Sequence, residues 1–386
     1  MEAVLRGITW GHSRGVTPLL AAAQRYEELH PGIQIQWKKR TLQEFADYPI
    51  EKLTEHYDLL IIDHPWVGCA AATNCVLPLD EYLPAAYLKN QLGNSVGGSF
   101  ESYNYNNKQW ALAIDAAAPF ASYRKDLLSA NNVAQPQTWE EVIDLARLGK
   151  VAVPAIPIDL LMNFYSFCIA EGEEPFLNSY VVSEEVGVKA METMKDLYSL
   201  VDKKMFTCNP IAVAEMMSST NDYWYCPFAY GYSNYSRIGF AHHLLHYNDV
   251  VSIYKKKLRT TIGGTGISVS AFSKYKEQAV DFAAFVCSEV HQKTVYVQHG
   301  GQPGHLAAWL NEESNLLTHD YFRQTLPVMQ NGYMRPRYDG YLHFQDHAGQ
   351  PLHEYLSGKT SAKDALTTMN EIYNQSLRYS KIEQPA

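Results

Sequence analysis

No run of about 18 apolar residues occurs anywhere in the 386-residue chain, so no segment reads as a membrane-spanning helix. Dense basic stretches are missing as well: Lys255-Lys256-Lys257 is the longest, and the formal net charge is −9. Nucleic acid binding needs clustered cations against the phosphates, so nucleic acid is not an expected partner. None of the six cysteines forms a CxxC pair. Cys69 and Cys75 lie close together but lack companions at zinc-ligand spacing. Surroundings such as YSFCIA and FAAFVCS make the cysteines read as small buried hydrophobes. Internal repeats and low-complexity linkers are absent. The first residues, MEAVLRGITW, lack the basic and apolar regions of an export leader. Two cases stay open: a leader already removed, or none in the native protein.

What is present fits a soluble globular protein, with 46% hydrophobic and 19% charged residues. The length exceeds the roughly 250–300 residues at which a single core stops growing, so two domains are expected. Aromatics are plentiful, with 27 tyrosines. They concentrate in Trp224–Arg237, WYCPFAYGYSNYSR. Rings offer apolar faces with polar edges, and Ser, Asn and Gly supply hydrogen bonds; the mixture suits a ligand-stacking surface or a Tyr-rich buried turn.

From the N-terminus, AVLRGITW reads as a strand and GHSRG as the loop after it. VTPLLAAAQRYEELHPG has helical spacing and a Pro-Gly stop, IQIQWKKR alternates as a strand, LQEFADYPIEKLTEH is helical, and YDLLIIDHP is a strand buried on both faces. This alternation predicts a parallel α/β layer, with ligands just past the carboxyl ends of its strands. One such end carries His12, Ser13 and Arg14; another carries Asp63, His64 and Trp66. GGSFESYNYNNK is expected as a surface hairpin or loop, VAVPAI as a strand, and LPVMQNGYMRPRYDGYLHF as loop. Thr138 and Glu141 have capping-box spacing.

In their order, ITWGHSRG…ELHPGIQI, YDLLIIDHPW…LPLDEYL, ALAIDAAAPFASYRKDLL, PQTWEEVIDLA, AYGYSN, GGTGISVSAFSKYKEQAVDFAAFV, GGQPGH and SGKTSAKDAL resemble the family-1 extracellular solute-binding proteins of carbohydrate ABC importers, the family of maltose-binding protein, over roughly residues 5–375. The resemblance implies an α/β, two-lobed periplasmic-binding-protein-like fold of type II. Each lobe is a mixed sheet flanked by helices, and the ligand is held in the cleft between. It implies lobe one from 1–114 plus 262–310 and lobe two from 115–261 plus 311–386.

Carried over by motif, Arg14 with His12 reaches the ligand's polar groups from the first loop. Asp63, His64 and Trp66 supply charged and aromatic contacts, and Asp115 is the hinge carboxylate that accepts sugar hydroxyls. Tyr230 is the platform ring, followed by Tyr232 and Ser233, while Trp224, Tyr225 and Phe228 pack beneath. Met162, Asn163 and Tyr165 lie near a further ligand-facing turn, and Arg335, Arg337 and Tyr341 near a last aromatic contact. The cationic first loop adds sugar acids to the candidate ligands; the alternative for His12 and Arg14 is plain loop solvation or a salt bridge with Asp63 or Asp115.

The resemblance also implies a monomer that delivers a sugar, uronate or polyhydroxy acid to an ABC permease from the periplasm or cell surface. The missing leader leaves a cytoplasmic ligand sensor open. No catalytic residue, cofactor or metal is expected. The rival readings are an enzyme, disfavoured because Asp115-Ala116-Ala117-Ala118 carries no thiol, and a ferric-ion binder using His12, Asp63, Tyr230 and Tyr232.

Overall fold

The computed structural model describes residues 3–40 and 50–382. Its principal strands are β1 (Ala3–Trp10), β2 (Ile33–Arg40), β3 (Leu59–Ile62), β4 (Leu112–Ala117), β5 (Pro119–Tyr123), β6 (Tyr225–Tyr230), β7 (His246–Asn248) and β8 (Gly263–Val269). The helices that matter most below are α1 (Ser13–Leu29), α2 (Pro157–Ala170), α3 (Tyr341–Leu356) and α4 (Ala362–Ile382). Most of the helix expected over LQEFADYPIEKLTEH lies outside the described residues; Ile50–Thr54 is helical. Among the described residues no helix is long and apolar enough to cross a membrane.

The chain divides into two compact units. The first comprises Met1–Ala117, Ile262–Leu326 and Arg337–Asp339; the second comprises Ala118–Thr261, Pro327–Pro336 and Gly340–Ala386. These bounds differ from the expected ones. Asp115 stays with the first unit because β4 pairs with β8 through Asp115↔Thr265, Ala116↔Gly264 and Ala117↔Gly263. Residues 311–326 also group with the first unit. There the Phe322 ring meets Trp309 edge-on at 5.2 Å, and Asn315 Nδ2 donates to the Trp309 carbonyl.

In the first unit the sheet order is β2-β1-β3-β8-β4. β1 runs parallel to β2 and β3, whereas β8 is antiparallel to β3 and β4, so the layer is mixed. β3 is buried along its whole length, as its unbroken LLII run predicts. α1 turns Leu19, Ala22, Ala23 and Tyr26 inward. Tyr26 packs edge-on against Phe282 and Phe285 and donates its hydroxyl to Asp281.

The second unit has a three-stranded antiparallel sheet, β6-β5-β7. Its helix α2 is apolar all round and correspondingly buried. α3 crosses α2 where Gly349 has no side chain; a Cβ there would lie 2.1 Å from the Pro157 carbonyl oxygen. Tyr165 and Tyr341 then meet hydroxyl to hydroxyl at 3.2 Å. The capping box at Thr138 and Glu141 forms as its spacing predicts.

Two expectations fail locally. VAVPAI is not a strand, with Val151 making only an isolated bridge to Tyr225, and Pro154 has no N–H to give a ladder. LPVMQNGYMRPRYDGYLHF is helical at both ends, within Tyr321–Gln330, which contains Pro327, and within α3. Complete burial of Tyr321 and Phe322 in the first helix, and of Tyr341 and Phe344 in α3, outweighs the local loop signals. Cys75, Cys168, Cys226 and Cys287 are buried, and Cys69 and Cys208 are partly exposed.

Candidate functional site

The end of β1 is built around Trp10. The expected GHSRG loop is only Gly11 and His12, because α1 begins at Ser13 with His12 as its N-cap. The His12 ring accepts from the Arg14 backbone N–H through Nδ1 at 3.0 Å. Arg14 therefore lies in the first helical turn, 4% exposed. Its Nε donates to Asp115 Oδ2 at 2.9 Å, and its Nη2 donates to Asp115 Oδ1. The Arg14 guanidinium lies 5.5 Å from the Trp10 ring, and His12 stacks on the same ring at 5.8 Å. Gly15 makes room for this, since a Cβ there would come within 2.4 Å of Trp10.

Asp115 is itself only 2% exposed. Burial pushes its carboxyl up from the ordinary value, while the Arg14 charge, the Arg14 hydrogen bonds and the Gln302 backbone N–H pull it down. A bidentate Arg–carboxylate pair fixes geometry and neutralises charge together. The Arg14 fork closes on the protein's own carboxylate, which is the ion-pair alternative for the first loop.

His12 follows the opposite rule. Burial, then the Arg14 charge, lower its pKa to about 4 from an ordinary 6.5. Protonation would also turn the capping acceptor into a donor facing an N–H. The folded unit thus binds fewer protons than the unfolded chain between these values. His12 accordingly contributes stability above pH 6.5 that is lost as pH falls toward about 4. His12→Asn keeps a capping side chain but removes the titration. Its stability-versus-pH curve, from urea unfolding at stepped pH, is expected to be shallower by up to about 1.4 kcal/mol per pH unit in that window. Parallel curves would exclude this role.

At the end of β3, Asp63 caps the single turn His64–Trp66, accepting from the His64 N–H at 2.8 Å. The Asp63 side chain is 23% exposed and His64 1%. His64 points edge-on at Tyr103, and Trp66 is buried. Asp63 is the most exposed of this expected trio, and its carboxylate also lies 3.3 Å from the His64 Nδ1. Arg337 belongs to this unit too. Its Nη1 donates to the carbonyls of Glu101, Ser102 and Asn104. It clamps a turn, and burial lowers its pKa.

In the second unit Tyr230 ends β6, paired with Pro119, with its hydroxyl 2.9 Å from Thr261 Oγ1. It is partly exposed, whereas Tyr225 and Phe228 are core, as expected. Trp224 is half-exposed under the Lys150 ammonium instead of packing beneath. Tyr232 and Ser233 are buried: the chain turns at Ser233–Ser236, and Tyr232 meets Tyr235 edge-on at 6.5 Å.

Arg237 follows, 9% exposed, its pKa lowered to about 10 by burial. Arg237 closes the aromatic stretch, and Thr261, whose hydroxyl meets that of Tyr230, was not among the expected site residues. Met162, Asn163 and Tyr165 lie on the buried α2, where Asn163 donates to the Tyr198 hydroxyl. Arg335 donates to Gln345 Oε1 at 2.7 Å, and Tyr341 is core. These corrections replace the expected ligand turn with packing. Among the described residues no three His, Cys, Asp or Glu side chains gather to hold a metal ion.

Solved structures share this architecture closely. MalE3 of T. maritima, with maltose bound, superposes with a TM-score of 0.84 at 18% identity, over 97% of this chain and 99% of that one. An ABC transporter solute-binding protein of Agrobacterium radiobacter K84, in complex with ribitol, gives 0.82 at 17% identity over 97% and 98%. The maltotriose-binding protein of Thermus thermophilus gives 0.78 at 19% identity over 97% and 100%. At these identities the likeness shows the fold, which is the two-lobed type II binding-protein fold. The model of the bacterial extracellular solute-binding proteins matches residues 11–293, and this chain belongs to that family.

Proposed function

We propose that the chain binds a small neutral polyhydroxylated solute, a carbohydrate or polyol, for delivery to an ABC permease outside the cytoplasm. It acts by binding and release, with no bond chemistry of its own. The observation that carries the reading is Tyr230. It is a partly exposed ring at a strand end, anchored through its hydroxyl to Thr261 Oγ1, in a stretch where most other rings are buried. A ring fixed in this way offers a flat face to sugar C–H groups at little cost in side-chain entropy.

Within the first unit, Asp63 at the end of β3 is a partly exposed carboxylate of the kind that accepts from hydroxyls. Neutral ligands are favoured over sugar acids because Arg14 is matched by Asp115. Maltose, ribitol and maltotriose in related structures agree with that class.

The test is a thermal-shift screen of maltose, maltotriose, ribitol, tagatose and galacturonate, followed by calorimetry. At least one neutral compound is expected to stabilise the protein by mass action. Tyr230→Ala is expected to weaken that compound at least about tenfold, or about 1.4 kcal/mol, with the fold unchanged. Silence from every sugar and polyol at millimolar concentration would end the carbohydrate reading.

A further inference from the structure

α3 buries Tyr341, Phe344, Ala348 and Leu352, and the other face carries Asp346, His347 and Gln350 to solvent. His343 and His347 are one turn apart on this helix, where side chains four residues apart are neighbours. Their rings lie 4.4 Å apart between centroids, inclined at 33°. His347 Nδ1 sits 2.8 Å from the His343 carbonyl oxygen. A carbonyl only accepts, so that nitrogen carries the proton and donates, and Nε2 keeps its lone pair, directed away from the helix backbone. A ring nitrogen tied to a backbone carbonyl while the other stays basic is the arrangement that orients imidazole ligands on metals.

We propose that His343 and His347 form a two-imidazole chelate for a divalent transition metal of the Cu(II), Ni(II), Zn(II) class. Imidazole donors suit these ions better than Mg(II) or Ca(II), and Cu(II) binds tightest in their intrinsic order. With two protein ligands, water fills the remaining positions. The site is independent of the solute-binding reading.

The test is calorimetry of the untagged full chain with NiCl2 and CuSO4 at pH 7.5, together with Cu(II) electron paramagnetic resonance. One site is expected, tighter for Cu(II), with a signal carrying nitrogen coupling. His343→Ala and His347→Ala are each expected to weaken Ni(II) at least tenfold. His299→Ala, which removes another exposed histidine whose Nδ1 meets a backbone carbonyl, is expected to leave binding unchanged. No binding at about 1 mM Ni(II), affinity unchanged in both α3 variants, or loss on His299→Ala would each overturn the proposal.

Discussion

Asp115→Ala is expected to destabilise the first unit by about 3–5 kcal/mol, the range for breaking a buried ion pair from one side. The deleted carboxylate is not the main loss. Arg14, 4% exposed, would keep its charge while losing the acceptor of both its Nε and Nη2 bonds. Arg14→Ala should cost a similar amount for the mirrored reason. The double replacement Arg14→Met with Asp115→Leu should cost much less than the two single losses together, because neither charge is then left stranded. Exposed pairs set the contrast: Arg147–Asp144, with side chains 64% and 72% exposed, should change stability by no more than about 1 kcal/mol. Urea unfolding, with hydrogen exchange of the β4 and β8 amides to localise the loss, checks both. Additive single losses would mean that the two residues act separately.

How much of this pair was legible beforehand is instructive. Arg14 and Asp115 both stand out in the sequence, and an ion pair of Arg14 with Asp63 or Asp115 is the alternative to ligand contact there, but the sequence does not choose between the partners. Arg14 and Asp115 lie 101 residues apart, and no local pattern encodes a contact of that span. Local signals did well where local physics decides. The capping box at Thr138, the buried LLII strand, and the hairpin at 104–109, whose turn residues Asn106 and Asn107 take positive φ, all follow from near neighbours. The first turn of α1 was misread because Gly11 and Gly15 look like loop punctuation. Gly15 is helical, and its missing side chain serves the Trp10 ring. Pro327 misleads in the same way: it sits inside the helix Tyr321–Gln330, where Tyr321 and Phe322 are fully buried. In the aromatic stretch the ring density was visible, but which rings are core depended on the turn at Ser233–Ser236. That turn buries Tyr232 and leaves Tyr230 partly open.

Gly264→Ala is the other substitution with a large expected effect, and it acts through Asp115 without touching either charge. Gly264 has φ +100°, where an L side chain is strained, and a Cβ built there would lie 2.3 Å from the Asp115 carbonyl oxygen and 2.8 Å from the Ala116 Cα. These are backbone atoms of the neighbouring strand, so no side chain can swing aside. Either the β4–β8 ladder opens at Ala116↔Gly264 or both strands shift. Backbone strain of about 1–2 kcal/mol and overpacking of about 1–3 kcal/mol add in the same direction. A loss of about 2–5 kcal/mol is therefore expected.

Gly93→Ala is the matched control: a Cβ there meets nothing within 4 Å, and the residue ends the helix Ala85–Gly93, so that variant should be neutral or slightly more stable. The two glycines differ in surroundings, not in chemistry. Equal unfolding midpoints for the two variants would show that the ladder beside Asp115 yields freely. The close approach of β8 would then not be what holds that carboxylate against Arg14.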